Sequence, residues 1–295
     1  MCIRDRSLAI SAVFQIRATL SGTYYGTITA SANITLDSIP RASSVSAANM
    51  TMGSAGTISI SRASSAFTHT LTYSFGNTSG TIATKTTATS VSWTPALSLA
   101  SQIPNAISGT CTITCTTYNG NTNIGSKTCT LTLSISASVK PTISSLTASR
   151  IDGEVPSTWG IYVQTKSKVK LTINGAAGSY GSTIKSYSIT GGGYSGSAST
   201  LTTGFLNNSG TITFKATVTD SRGRVSAEAS VSITVTAYSP PYFNSSLSQR
   251  CLSNGTLDDD GTYIHAMVSF GYSTCGGKNT LKTSVQYKQL SLIHI

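Results

Sequence analysis

Six cysteines, three histidines and nine carboxylates are all that the 295 residues offer for nucleophilic, acid–base or metal chemistry. Cys111, Cys115 and Cys129 fall on alternate positions of two strand-like segments, so they share one face of a hairpin. A metal or redox site would use such a face, but no CxxC spacing accompanies it. Small apolar packing is the simpler use of a free thiol. Cys251 and Cys275 could pair with each other, although the five cysteines other than Cys2 do not make a disulfide framework. His69 sits in Phe67-Thr-His-Thr-Leu-Thr-Tyr-Ser-Phe75 on the apolar side of the alternation, a packed or edge position. His265 lies on the wetter side, opposite Ile264, Ala266, Val268 and Phe270. Neither histidine has a carboxylate pair or a nucleophile motif beside it.

Two charged clusters remain. Asn254-Gly-Thr-Leu-Asp258-Asp259-Asp260-Gly261-Thr262 has oxygen ligands ahead of a glycine, as calcium loops do. The twelfth position of an EF-hand would be Glu, and here it is His265, so a polar hairpin loop is the plainer reading. Lys166, Lys168 and Lys170 alternate with Ser167, Val169 and Leu171 and line one strand face. An anionic polymer could bind there, but no aromatic platform interleaves the lysines, so nucleic acid is not an expected partner. The expected set of catalytic, cofactor-binding and metal-binding residues is therefore empty, and an enzyme is not expected.

The elements that carry these residues are strands. Ser and Thr number 97, about a third of the chain, while only 10% of residues are charged and the net charge is +11. No apolar run reaches the ~18–20 residues of a membrane helix. The hydroxyl residues alternate with apolar ones, the period of a half-buried strand. Cys111, Ile113, Cys115 and Thr117 point one way while Thr112, Thr114 and Thr116 point the other. The same alternation returns 101 residues later in Ile212, Phe214, Ala216 and Val218, each time after Ser-Gly-Thr (108–110 and 209–211). Polar turns follow both, Asn119-Gly-Asn121 and Asp220-Ser-Arg-Gly223. Closing strands carry Cys129, Leu131, Leu133 and Ile135 in one copy and Ala229, Val231, Ile233 and Val235 in the other.

Pro40, Pro141 and Pro240-Pro241 punctuate this period of about 100 residues. In the first full repeat, strands are expected near 56–61, 67–75, 80–84, 88–93, 110–118 and 127–136, with a helical turn from Pro95 to Ala100. In the second they are expected near 142–149, 160–164, 168–173, 183–190, 199–203, 211–218 and 225–236. The fold class is all-β, with tandem immunoglobulin-like β-sandwich domains. The antibody-type Cys…Trp…Cys pattern is missing, and Trp93 and Trp159 do not occupy equivalent places. The expected domains are the C-terminal part of a sandwich (7–37), two complete sandwiches (38–138 and 139–238) and the start of a further β domain (239–289).

The extreme ends read differently. Residues 1–6 and 290–295 back-translate into the two reverse-complementary strands of a transposon end used as a sequencing adapter. They are expected to be adapter-derived, which makes the chain an internal window of a longer reading frame. Without them the charge is about +10, from 18 basic and 8 acidic residues.

Several strings together resemble one family. They include Phe67–Gly76, Ser92-Trp-Thr-Pro95, Gln102-Ile-Pro-Asn-Ala106, Tyr118-Asn-Gly120, Tyr180–Ser188, Thr219-Asp-Ser-Arg-Gly-Arg224, Asp260-Gly-Thr-Tyr263 and Val285-Gln-Tyr-Lys288. They are similar to minor structural, tail-tip proteins of siphophages and prophages of Gram-positive bacteria, a domain family without an assigned activity. The resemblance covers nearly all of residues 21–289. It implies a phage tail structural protein, a tandem-sandwich spacer of a fibre, baseplate or tail tip involved in host attachment. Implied partners are other phage tail proteins, host cell-wall glycans and further copies in a homotrimer; no membrane is implied. The implied location is the virion tail, after synthesis in the bacterial cytoplasm. The resemblance carries no cofactor and no binding residues. The rival reading is a carbohydrate-binding adhesin, with Tyr24, Tyr25, Tyr194 and Tyr242 stacking on sugar rings.

Overall fold

The computed structural model describes residues 8–36, 41–151 and 153–286, with backbone alone over 8–20 and 24–36. The segments read as adapter-derived lie outside the described residues. The chain divides into two units between Ser136 and Ala137. In the first unit, β1 (Leu8–Leu20) and β2 (Thr23–Leu36) form an antiparallel hairpin.

A two-sheet domain follows. One sheet has the order β3 (Ser44–Ala47), β5 (Gly56–Ser61), β8 (Ser90–Trp93). The other has the order β4 (Met50–Thr51), β10 (Thr122–Ser134), β9 (Ser108–Asn119), β6 (Phe67–Phe75), β7 (Thr78–Thr86). Their facing sides are lined by Ile58, Ile60, Leu71, Phe75, Ile113 and Leu133, all buried. The alternating Thr residues face outward, where a β-branched hydroxyl side chain suits a wet strand surface.

The second unit repeats that architecture. Its smaller sheet is β11 (Ser145–Ile151), β13 (Lys168–Asn174), β16 (Thr200–Thr202). Its larger sheet is β12 (Tyr162–Val163), β18 (Ala229–Thr236), β17 (Gly210–Asp220), β14 (Ile184–Gly191), β15 (Tyr194–Gly196). In both domains the short second strand pairs in parallel with the last strand, Met50 opposite Leu133 and Tyr162 opposite Val235. All other ladders are antiparallel. The fold class is thus all-β, built of immunoglobulin-like sandwiches. The hairpin β19 (Tyr242–Cys251) and β20 (Tyr263–Gly271) is the last regular element among the described residues.

Some elements differ from the sequence expectation. β3, β4 and β15 span only two to four residues, too short for a period-2 signal. The turn expected at 95–100 is a 3-10 helix over Leu97–Gln102, shifted so that Leu99 and Ala100 are buried. The last strand of the second sandwich starts at Ala229 rather than 225, because residues 220–226 form a cross-linked turn.

Candidate functional site

The residues best placed for acid–base chemistry are Ser43 and His69. Ser43 precedes β3, and His69 sits on the inward face of β6. The hydroxyl Oγ lies 2.9 Å from ring atom Nε2, and the Ser43 N–H donates to Thr117 Oγ1, also at 2.9 Å. A serine beside a histidine is the start of a nucleophile–base pair. Here Ser43 is 2% and His69 0% exposed, and no carboxylate is hydrogen-bonded to Nδ1 to orient the ring. The pair is sealed from substrate, and its geometry serves to tie the entry of the domain to β6 and β9.

Burial pushes the His69 pKa down; the main chain of Thr86 opposes this and the charge of Arg62 adds to it. The folded state therefore prefers the neutral ring. Stability is full above the unfolded value near 6.5 and is lost as pH falls from there toward the lower folded value. The unfolding free energy of the first sandwich is expected to fall by up to about 1.4 kcal/mol per pH unit in that window. Denaturant titrations at stepped pH test this, and His69→Phe should flatten the dependence. An unchanged slope in that variant would assign the effect to another group.

The three hairpin cysteines pack as small apolar residues. Cys111 and Cys115 are buried on β9, and Cys129 is half-buried on β10 opposite Ile113. Burial pushes the Cys111 thiol up to about 11 and raises the other two. A raised thiol is a poor nucleophile and a poor metal ligand at neutral pH. Cys251 and Cys275 are unpaired thiols. Among the described residues, no group of three or more His, Cys, Asp or Glu side chains converges on a metal position.

The charged motifs are engaged in structure. Asp220, at the end of β17, is fully buried, and its Oδ1 accepts the N–H groups of Arg222 (3.0 Å) and Arg224 (2.9 Å). Arg222 donates to the carbonyls of Ser179 (2.6 Å) and Tyr180 (2.7 Å), and Arg224 to that of Val139 (2.7 Å). The Asp-Ser-Arg-Gly-Arg string is therefore a clasp on the closing hairpin. Asp258 does something similar in the acidic loop, accepting the Asp260 N–H at 2.8 Å while Arg250 donates to the Asp259 carbonyl. The lysine stripe is broken up. Lys166 pairs with Glu154 at 2.6 Å, and the Lys168 ammonium lies 4.7 Å from the centre of the Phe205 ring. Lys170 is exposed.

The tyrosines divide. Tyr194 is partly buried against the second core and donates its hydroxyl to the Phe205 carbonyl, so its ring is an internal brace. Tyr242 is exposed. Tyr24 and Tyr25 are placed on β2 by backbone alone. An aromatic pair that the sequence did not mark is Tyr73 with Trp93, ring centres 5.1 Å apart and tilted by 32°. Gly80 faces Tyr73 across the ladder, and a Cβ there would come within 2.7 Å of the ring. The glycine leaves room for the ring to lie flat across β7. Ser43 and the Tyr73–Trp93 pair were hidden for the same reason: their partners are distant in sequence, and nothing in local spacing marks them.

The profile of a family described as "Siphovirus protein of unknown function (DUF859)" matches residues 5–258. Among curated proteins, none matches the sequence. Similar solved structures include the fibronectin(III)-like modules of Clostridium thermocellum CbhA, at 16% identity over 66% of this chain and 95% of that one, TM-score 0.28. The FN1–FN3 domains of chicken CNTN1 match at 9% identity over 76% of this chain and 77% of that one, TM-score 0.25. A run of titin domains matches at 17% identity over 77% and 75%, TM-score 0.29.

Proposed function

This chain belongs to the siphovirus protein family DUF859, and from that premise we propose that it is a tandem-sandwich spacer in the phage tail. In this reading it forms part of a fibre, baseplate or tail tip and serves host attachment by holding other parts at a distance. The observation that carries the reading is the repetition itself. Two successive domains have the same strand order in both sheets, the same parallel second strand and separately closed cores. Each such unit carries its own hydrophobic core, the property of a domain that can be repeated along a chain. A strand of seven residues rises about 24 Å, which sets the length of one module. The residues with chemical potential are spent on structure: His69 and Ser43 inside a core, Asp220 in a clasp, Tyr194 as a brace. That favours a mechanical role over the adhesin reading.

Other tail proteins and copies of this chain in a trimer are the proposed partners. Antibodies raised against residues 41–238 should decorate the tails of intact virions in immunogold micrographs. Labelling confined to infected-cell lysate, with bare virions, would overturn the tail assignment.

A further inference from the structure

Among the described residues of the second unit, the hairpin β19–β20 leaves its apolar residues uncovered. Phe243 is 77% and Ile264 73% exposed, and Val268 and Phe270 are exposed beside them. Directly opposite residues in an antiparallel ladder share a face. One face therefore carries Phe243 with Phe270, Ser246 with Val268, Ser248 with Ala266, and Arg250 with Ile264. Along β20 that face is apolar at every position, Ile264, Ala266, Val268 and Phe270. The opposite face is mixed, with Tyr242, Leu247, Tyr263 and Met267 standing among Ser245, Ser269, Gln249 and His265.

The register of this hairpin repeats that of the second sandwich. There Leu146 pairs with Ile173, Ala148 with Leu171, and Arg150 with Val169, and all of these except Arg150 pack in the core. Moving the first strand by 100 (146 to 246, 148 to 248, 150 to 250) and the second by 95 (173 to 268, 171 to 266, 169 to 264) reproduces all three pairs. In the first sandwich Val45 pairs with Ile60 and Ala47 with Ile58 in the same relation. The arginine recurs in role as well. Arg150 donates to the carbonyls of Pro156 and Ser157 in the connection that follows its strand, and Arg250 to that of Asp259 in the next such connection. The root of the hairpin is docked: Cys275 is buried with Val155 and Val163 of the second sandwich, and the Ser239 N–H donates to Ser273 Oγ at 2.8 Å.

We propose that β19–β20 is the opening strand pair of a third sandwich, and that its Phe243–Val268–Phe270 face is covered by a second sheet built from later strands of the same polypeptide. The occupant follows from the repeat, because the equivalent face of β11–β13 is covered by a sheet whose main strands β14, β15, β17 and β18 all follow that pair in the chain. The free edge of β20 has an assigned neighbour too. β13 pairs through Lys170, Leu171 and Thr172 with β16, which corresponds to His265, Ala266 and Met267. This inference is independent of where in the virion the protein sits.

Hydrogen exchange on the present chain and on the same reading frame continued through the next ~50 residues tests it, a length that completes one repeat. Continuation should slow exchange over residues 263–271 about 100-fold or more, as for core strands. In the continued chain Val268→Asp should restore fast exchange there, whereas Met267→Asp, on the outer face, should leave it slow. Equal exchange in both chains would overturn the proposal, as would protection that depends on Met267 and not on Val268. Protection of 263–271 in the present chain through a dimer that Val268→Asp dissociates in sedimentation would make a second copy the occupant, and would also overturn it. Failure of the tail assignment changes none of these solution readouts.

Discussion

Asp220→Ala is expected to lower the stability of the second sandwich by about 3–5 kcal/mol. The side chain is fully buried at the end of β17, and its Oδ1 holds the N–H groups of Arg222 and Arg224. Alanine leaves both donors without that acceptor in the turn. It also removes the negative charge beside Arg222, which is only 7% exposed and whose pKa burial already pulls down against the attraction of Asp220. Asp220→Asn keeps an acceptor while losing the charge, so it should fall between wild type and alanine. Glu228→Gln is the contrasting change. Its partner Lys215 lies 3.0 Å away, but both side chains are about half exposed, so the loss should stay within about 0.5 kcal/mol. Denaturant unfolding of the three variants measures the ordering. A loss below about 1 kcal/mol for Asp220→Ala would show that the arginine contacts to Ser179, Tyr180 and Val139 hold the turn without the carboxylate.

Phe214→Ala should cost a similar amount, about 3–5 kcal/mol, through a cavity rather than a charge. The ring is fully buried on the inward face of β17 among Val169, Leu171, Ile189 and Ile233. Gly191 packs directly against it, since a Cβ there would meet Phe214 Cα at 2.8 Å. The backbone on that side is already as close as it can come, so the space left by the ring cannot collapse from β14. In a domain of about 100 residues each kcal/mol shifts the melting temperature by roughly 4–8 °C. Calorimetry of the full chain should show the transition of the second unit moving down while that of the first stays in place. A movement of both together would mean that the two units unfold as one.

Much of this architecture was legible in the residues. Ile212, Phe214, Ala216 and Val218 announce a strand with one buried face, and all four are buried. The 101-residue offset links Cys111 and Cys115 to Ile212 and Ala216, and the two pairs stand at matching places in the third strands of their five-stranded sheets. Period-2 alternation survives because burial of one strand face is imposed by every sandwich contact along its length. Strands of two or three residues, such as Met50–Thr51, have no period to read; their place is set by hydrogen bonds to a strand some 80 residues away.

The site was far less legible. His69 could be placed on an inward face, but its partner Ser43 is one of 97 Ser and Thr residues and nothing local distinguishes it. Tyr194 looked like a surface platform until the path of residues 203–206 brought the Phe205 carbonyl to its hydroxyl. Lys166 and Lys168 alternate like a solvated stripe, yet Glu154 and Phe205 take their charges from loops that only folding brings near. By itself the sequence determined the strand alternation, the repeat and the scarcity of reactive groups, because each is carried by residues adjacent or equally spaced along the chain. Only the tertiary structure decided what those few reactive groups do. Burial, hydrogen bonding and charge pairing depend on distances between segments, and those distances exist only once the two sheets of each sandwich have closed on one another.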